Sequence, residues 1–244
     1  MANPTAAMLV IGDEILSGRT KDINVGFLAE RLTEAAIDLK EVRMISDDHQ
    51  EIADAVRALS DRWDHVFTSG GIGPTHDDIT ADAVAAAFDT PIDVRDDARA
   101  LLVGHYQKNG ITLNENRLRM ARIPDGADLI DNPVSVAPGF TIGNVNVMAG
   151  VPAVFQAMVV SVVATLQGGA PILSRTFRVD LPEGDLASPL AEVAKRHTDV
   201  SIGSYPFIRD GRFGANIVFR HSDAGLLAAA VDEFHDFFPE APEL

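Results

Sequence analysis

Short β-rich runs alternate with amphipathic helical stretches along most of the chain, and this alternation constrains the fold class before any motif is considered. Strands separated by helices pair in parallel, because the return to the same end of the sheet needs a long crossover. Residues 8–11 read as a buried strand ending at Gly12. Residues 24–36 read as a helix, with Phe27, Leu28, Leu32 and Ala35 on one face. Residues 39–45 form a second expected strand. Asp48-His49-Gln50-Glu51 has capping-box spacing and opens a helix continued by Ile52, Val56 and Leu59. Residues 66–69 are another short buried strand that runs straight into a glycine turn, and Thr80 is placed to cap the helix reaching Phe88. Further helices are expected over residues 96–108 and 113–121.

Residues 140–149 break the alternation. Two β runs flank Gly143-Asn144, a two-residue hairpin signal. The second run ends at Gly150-Val151-Pro152, and Phe155, Met158, Val159, Val162, Val163 and Leu166 then mark a strongly apolar helix. Gln167-Gly168-Gly169-Ala170-Pro171 closes that helix and sets a domain boundary. Residues 1–170 are thus expected to form an α/β domain with a mainly parallel sheet. Residues 171–244 read as strand (175–181), helix (186–197), strands (200–205 and 212–221) and helix (224–238), a small α+β domain. The stripe Phe234, Phe237, Phe238 belongs to its packing.

Composition removes several classes of function. With 46% hydrophobic and 23% charged residues, the 244-residue chain has an ordinary globular balance. It has no cysteine, which excludes disulfides, thiolate metal sites and thiol nucleophiles. No stretch approaches the roughly 20 apolar residues of a membrane span, and the apolar run 6–11 lacks the form of a signal peptide. A cytoplasmic location is expected. The net charge of −16 opposes a nucleic-acid partner. The densest basic group, Arg117, Arg119 and Arg122, lies in helix-like sequence.

Ligands of parallel α/β sheets bind beyond the carboxyl ends of the strands. That rule gathers Gly12-Asp13-Glu14, Ser46-Asp47-Asp48, the turn from Ser69-Gly70 to Asp78, and Gly150-Val151-Pro152 at one edge. Glycine accepts positive φ and leaves amides uncovered, so Gly70, Gly71 and Gly73 can surround phosphate oxygens, with a helix N-terminus behind them. No Gly-Lys-Ser/Thr follows, so the turn is not a P-loop. Asp13, Glu14, Asp47, Asp48, Asp77 and Asp78 surround it. Carboxylates beside an anion site call for a cation between them, and Mg²⁺ joins one or two carboxylates to substrate phosphates. Asp47, Asp77 and Asp78 are the candidate metal ligands, Asp47 and Asp78 the candidate catalytic groups, and Asp48 a helix cap. His76 could touch a phosphate or stand in solvent. The remaining histidines show no metal-ligand spacing.

At these residues the sequence resembles a known family. Residues 70–80, GGIGPTHDDIT, look like the central motif of the MoaB/Mog molybdopterin-binding domain, and within that superfamily the chain is most similar to the N-terminal domain of CinA, the competence/damage-inducible type. GDEILSG at 12–18, followed by Asp22 and Asn24, resembles the opening motif. Asn132-Pro133, Ala137-Pro138-Gly139-Phe140 and Gly150-Val151-Pro152 resemble the later ones, and the tail resembles the second domain of CinA. The resemblance implies a three-layer α/β/α domain that binds a phosphorylated pterin or nucleotide and associates as a homo-oligomer. It also implies roles in ligand binding for Gly12, Asp13, Glu14, Ser69, Gly70, Gly71, Gly73, Thr75, Pro138, Gly139, Gly150 and Pro152. Ile72, Ala149 and Ala153-Val154 depart from the Mog pattern and favour the CinA-like branch. There the implied chemistry is cleavage of nucleotide pyrophosphates such as ADP-ribose or FAD. The alternative is a non-catalytic molybdopterin binder, or adenylyl transfer in molybdenum cofactor synthesis.

Overall fold

A computed structural model describes residues 3–209 and 211–244. They divide into two compact units, residues 1–169 and 170–244.

The first unit begins with β1 (Thr5–Ile11), whose unbroken apolar run is buried on both faces, as expected of a central parallel strand. The short α1 (Asp13–Leu16) and α2 (Asn24–Glu34) lead to β2 (Asp38–Ile45), an edge strand whose exposure alternates. Then come α3 (His49–Ser60), β3 (His65–Ser69), α4 (Thr80–Ala87), β4 (Ile92–Val94) and α5 (Asp96–Lys108). The region expected as one helix over 113–121 is instead α6 (Glu115–Leu118) followed by a 3₁₀ turn at Arg119–Ala121, capped by the Asn114 side chain. Strands β5 (Arg122–Pro124), β6 (Asp128–Ile130), β7 (Gly139–Ile142) and β8 (Val145–Met148) precede α7 (Pro152–Val163).

The main sheet has the order β2-β1-β3-β8-β7-β6. Pairings β1–β2, β1–β3 and β3–β8 are parallel, while the β7–β8 hairpin and β6 are antiparallel. One apolar layer, with Leu28, Leu32, Phe155, Met158 and Val159, covers one face. Another, with Ile52, Val56, Leu59, Val84 and Leu102, covers the other. This is the three-layer α/β/α arrangement.

Two local expectations change. Asp48 does cap α3, accepting from the amides of Gln50 and Glu51 at 2.9 Å, but Glu51 takes the Ser46 hydroxyl rather than closing a capping box. Thr80 does not cap α4. It is the first residue of the helix, its hydroxyl is buried without a partner among the described residues, and its amide bonds the Gly71 carbonyl at 2.9 Å. Close contact with the glycine turn outcompeted capping.

The second unit comprises β9 (Leu173–Val179), α8 (Glu183–Arg196), β10 (Ser201–Arg209), β11 (Arg212–His221) and α9 (Ala224–Phe237). Its antiparallel sheet has the order β10-β11-β9. Phe177, Val179, Ala215, Ile217 and Phe219 turn one face of it toward Leu186 and Val193 of α8 and Leu227, Val231 and Phe234 of α9. Phe237 remains partly exposed.

Gly139 sits where two strands of the first unit approach closely, since a Cβ there would lie 2.4 Å from the Val147 carbonyl oxygen. Gly139→Ala is therefore expected to destabilise the fold by about 1–3 kcal/mol in urea unfolding, through overpacking alone.

Candidate functional site

Register decides which loops meet. Ile45 stands beside Ile11, Val10 beside Ser69, and Ser69 beside Met148, so β2, β1, β3 and β8 end along one edge. The ladders run one step further: the Gly12 amide donates to Ile45 O and the Gly70 amide to Met148 O, both at 3.1 Å. Beyond them opens a cleft of ≈ 430 Å³, ample for a small phosphorylated molecule.

Gly70 can be nothing but glycine. Its φ is 112°, and a Cβ would lie 2.2 Å from the Ile11 carbonyl oxygen. Gly71 is also left-handed, at φ 71°. The consequence lies in the next three amides. Among the described residues, none accepts a hydrogen bond from the N–H of Gly71, Ile72 or Gly73, and all three residues line the cleft. Unpaired amides along a cleft wall seek water or an anion. The N-terminal turn of α7 borders the same space, through Gly150, Val151 and Val154, and adds a field that favours negative charge.

Acids face these donors. Glu14, Asp47, Asp77 and Asp78 all line the cleft. The Glu14 carboxylate lies over Gly12 and that of Asp78 over Gly73, in space a Cβ would fill. One oxygen of Asp78 accepts from the Thr75 amide at 2.7 Å and the Thr75 hydroxyl at 2.5 Å, which closes the Thr75–Asp78 turn. Asp47 accepts from the Asp13 amide at 3.0 Å. Burial pushes the Asp47 carboxyl above its ordinary range. The charges of Asp13, Glu14 and Asp77 push the same way, against the Asp13 amide.

Of the residues singled out in the sequence, Gly12, Glu14, Asp47, Gly70, Gly71, Gly73, Asp77, Asp78 and Gly150 line the cleft together. Six do not. Asp13 contributes its amide to Asp47, Thr75 braces Asp78, and Ser69 and Pro152 lie on the neighbouring surface with Asn24. Pro138 faces a small recess behind the turn, and Gly139 is buried in β7. His76 is almost fully exposed beside Asp77.

The cleft also contains residues that the sequence did not mark as ligand-binding: Met120, Asn132, Ser135 and Ala137. Asn132 is buried and braces its own loop through Ser135 and Ala137. Arg119, on the wall of the recess, donates to the Asp78 carbonyl at 3.2 Å, and Arg122 pairs with Asp82. Asn24 is the unmarked brace of the edge, since its amide reaches Ser69 Oγ and Gly150 O at 2.9 Å each. Its motif position was visible, but its partners are set only by tertiary register.

Sheet order and a ligand-sized cleft at the strand ends define the class: an α/β domain carrying its site at the carboxyl edge of a mainly parallel sheet. Residues 7–168 match the family described as "Probable molybdopterin binding domain", and residues 171–242 match "FAD synthase, middle domain". The chain belongs to this molybdopterin-binding-domain family. A protein of Metallosphaera sedula is 35% identical over 211 residues, covering 83% of this chain and 79% of that one. A protein named "Probable FAD synthase" from Caenorhabditis elegans is 30% identical over 256 residues, covering 95% of this chain but only 49% of that protein. The solved structure of CinA from Thermoplasma acidophilum, described as of unknown function, is 34% identical with a TM-score of 0.59. It covers 64% of this chain and 93% of that one. Among the described residues, no helix is long and apolar enough to cross a membrane.

Two measurements check this geometry. Asn24→Ala is expected to cost about 1–3 kcal/mol in urea unfolding, because Ser69 and the Gly150 carbonyl lose their shared donor. Asp47→Asn is expected to raise Tm at pH 7. A carboxyl whose pKa is raised by folding disfavours the folded state once ionised, so the gain should fade as pH falls through that pKa and vanish where Asp47 is protonated in both states.

Proposed function

We propose that the chain is a divalent-cation-dependent hydrolase of a nucleotide pyrophosphate, of the kind represented by ADP-ribose or FAD. The observation that carries this reading is the pairing of unsatisfied amides at Gly71, Ile72 and Gly73 with four acids across one cleft. Phosphate oxygens suit the amides but would be repelled by the acids unless a cation lay between.

The residues fit such an ion. Among the described residues, no three His, Asp, Glu or Cys side chains are grouped to hold a metal by themselves. Mg²⁺ needs only one or two carboxylates when substrate phosphates and water complete its shell, and Asp77 and Asp78 offer those oxygens. When bound, the ion would neutralise phosphate charge and acidify a water. Asp47 spends one oxygen on the Asp13 amide and keeps the other for the proton of the attacking water. Water oxygen bonds to phosphorus, the bridging P–O bond breaks, and the leaving phosphate takes the electron pair. The loop amides hold the charge that accumulates on the non-bridging oxygens.

A non-catalytic pterin or nucleotide binder is the second reading, favoured by one observation: Asp78 already serves the Thr75 turn. Incubation of the protein with ADP-ribose or FAD and Mg²⁺ or Co²⁺ separates the two. Hydrolysis predicts two monophosphate products, lost on chelation, and a fall of about 100-fold or more in Asp47→Asn. Tight metal-free binding without products, unchanged in Asp47→Asn and Asp78→Asn, would instead assign a binder.

A further inference from the structure

The second unit holds a hollow that neither its family match nor the cleft accounts for. Its helices cover one face of the three-stranded sheet, so alternation leaves Arg178, Tyr205, Phe207, Arg209, Arg212 and Asn216 on the other. A hollow of ≈ 550 Å³ lies there, lined by Arg178, Asp180, Phe207, Arg209 and Arg212.

Its charge is opposite to that of the chain as a whole. Asp180 engages Arg178 through two hydrogen bonds, at 2.8 and 2.7 Å, and these hold its carboxyl below the ordinary range, with Arg209 and Arg212 adding to the effect. One acid therefore answers three guanidinium groups. Even with Asp210, which lies outside the described residues, the count along the sequence is three against two. Arg209 and Arg212 are exposed, and neither side chain has a hydrogen-bond or ion-pair partner among the described residues. They also stand directly opposite each other across the β10–β11 ladder. Like charges in that position destabilise a sheet, and an anion between them removes the cost.

An aromatic face completes the hollow. Phe207 is paired with Gly214, where a Cβ would lie only 2.5 Å from its ring, so glycine lets the ring lie down on the sheet. The Arg178 guanidinium sits 5.8 Å from the ring centroid. Forked cationic donors next to a π-face suit a phosphate joined to a planar base. The hollow has the volume of a mononucleotide site, and the chain's net charge of −16 disfavours a long polyanion. We propose that Arg178, Arg209, Arg212 and Phe207 bind a nucleoside phosphate on the sheet face of the second unit, as a site built from residues separate from those of the cleft.

The test is a titration of the full-length ¹⁵N-labelled protein with ADP, following the amides of Gly203, Gly211 and Gly214. All three belong to the second unit, so the readout does not depend on what the cleft binds or hydrolyses. Saturable shifts are expected, with inorganic phosphate competing. Arg209→Gln with Arg212→Gln should weaken both ADP and phosphate at least tenfold. Phe207→Leu should weaken ADP roughly tenfold while leaving phosphate unchanged. Static resonances at millimolar ADP, or shifts undiminished in the double arginine variant, would overturn the proposal. So would a single-stranded RNA oligomer that binds this face more tightly than ADP at equal phosphate concentration, because the face would then serve nucleic acid.

Discussion

Two backbone hydrogen bonds organise the first unit's site: Gly12 to Ile45 O and Gly70 to Met148 O. Each continues a parallel ladder one residue past its strand, which draws the loops after β2, β1, β3 and β8 to a common edge. The approach is so close that a Cβ on Gly70 would meet the Ile11 carbonyl, and one on Gly150 would lie 3.2 Å from Gly70 Cα. Once the chain turns at Gly70, its next amides leave the ladder without finding partners, and the cleft inherits them.

One of the acids opposite those amides, Asp47, carries a stability cost. Asp47 is pushed upward by burial and by like charges, and nothing in the protein offsets these fully. Sites that hold charge against its electrostatic preference sacrifice stability for function, and the usual relief comes from a ligand. In the second unit the same imbalance recurs with its sign inverted, where Arg209 faces Arg212 across a ladder.

Much of this was legible in the sequence, for local physical reasons. The apolar run into Gly12, the hairpin at Gly143-Asn144 and the Asp48 cap each depend on residues close together along the chain. The convergence of four loops followed from parallel pairing. Contacts decided by register were not legible. Thr80 looked like a cap but was drawn beneath Gly71, and Asn24 gave no sign that it would join Ser69 to Gly150. Gly139 resembled a ligand-binding glycine, yet it serves close packing against Val147. Along the sequence the densest basic group is Arg117, Arg119 and Arg122. Arg178 joins Arg209 and Arg212 only once β9 and β10 flank β11.

The central claim is that the amides after Gly70 form an anion cradle completed by a cation. It is tested most directly by the ¹H–¹⁵N resonances of Gly71, Ile72 and Gly73 during titration with inorganic pyrophosphate, with and without Mg²⁺. The account predicts saturable downfield amide-proton shifts at all three positions, much stronger when Mg²⁺ is present. Pyrophosphate that binds the protein while leaving these three resonances unmoved would contradict it.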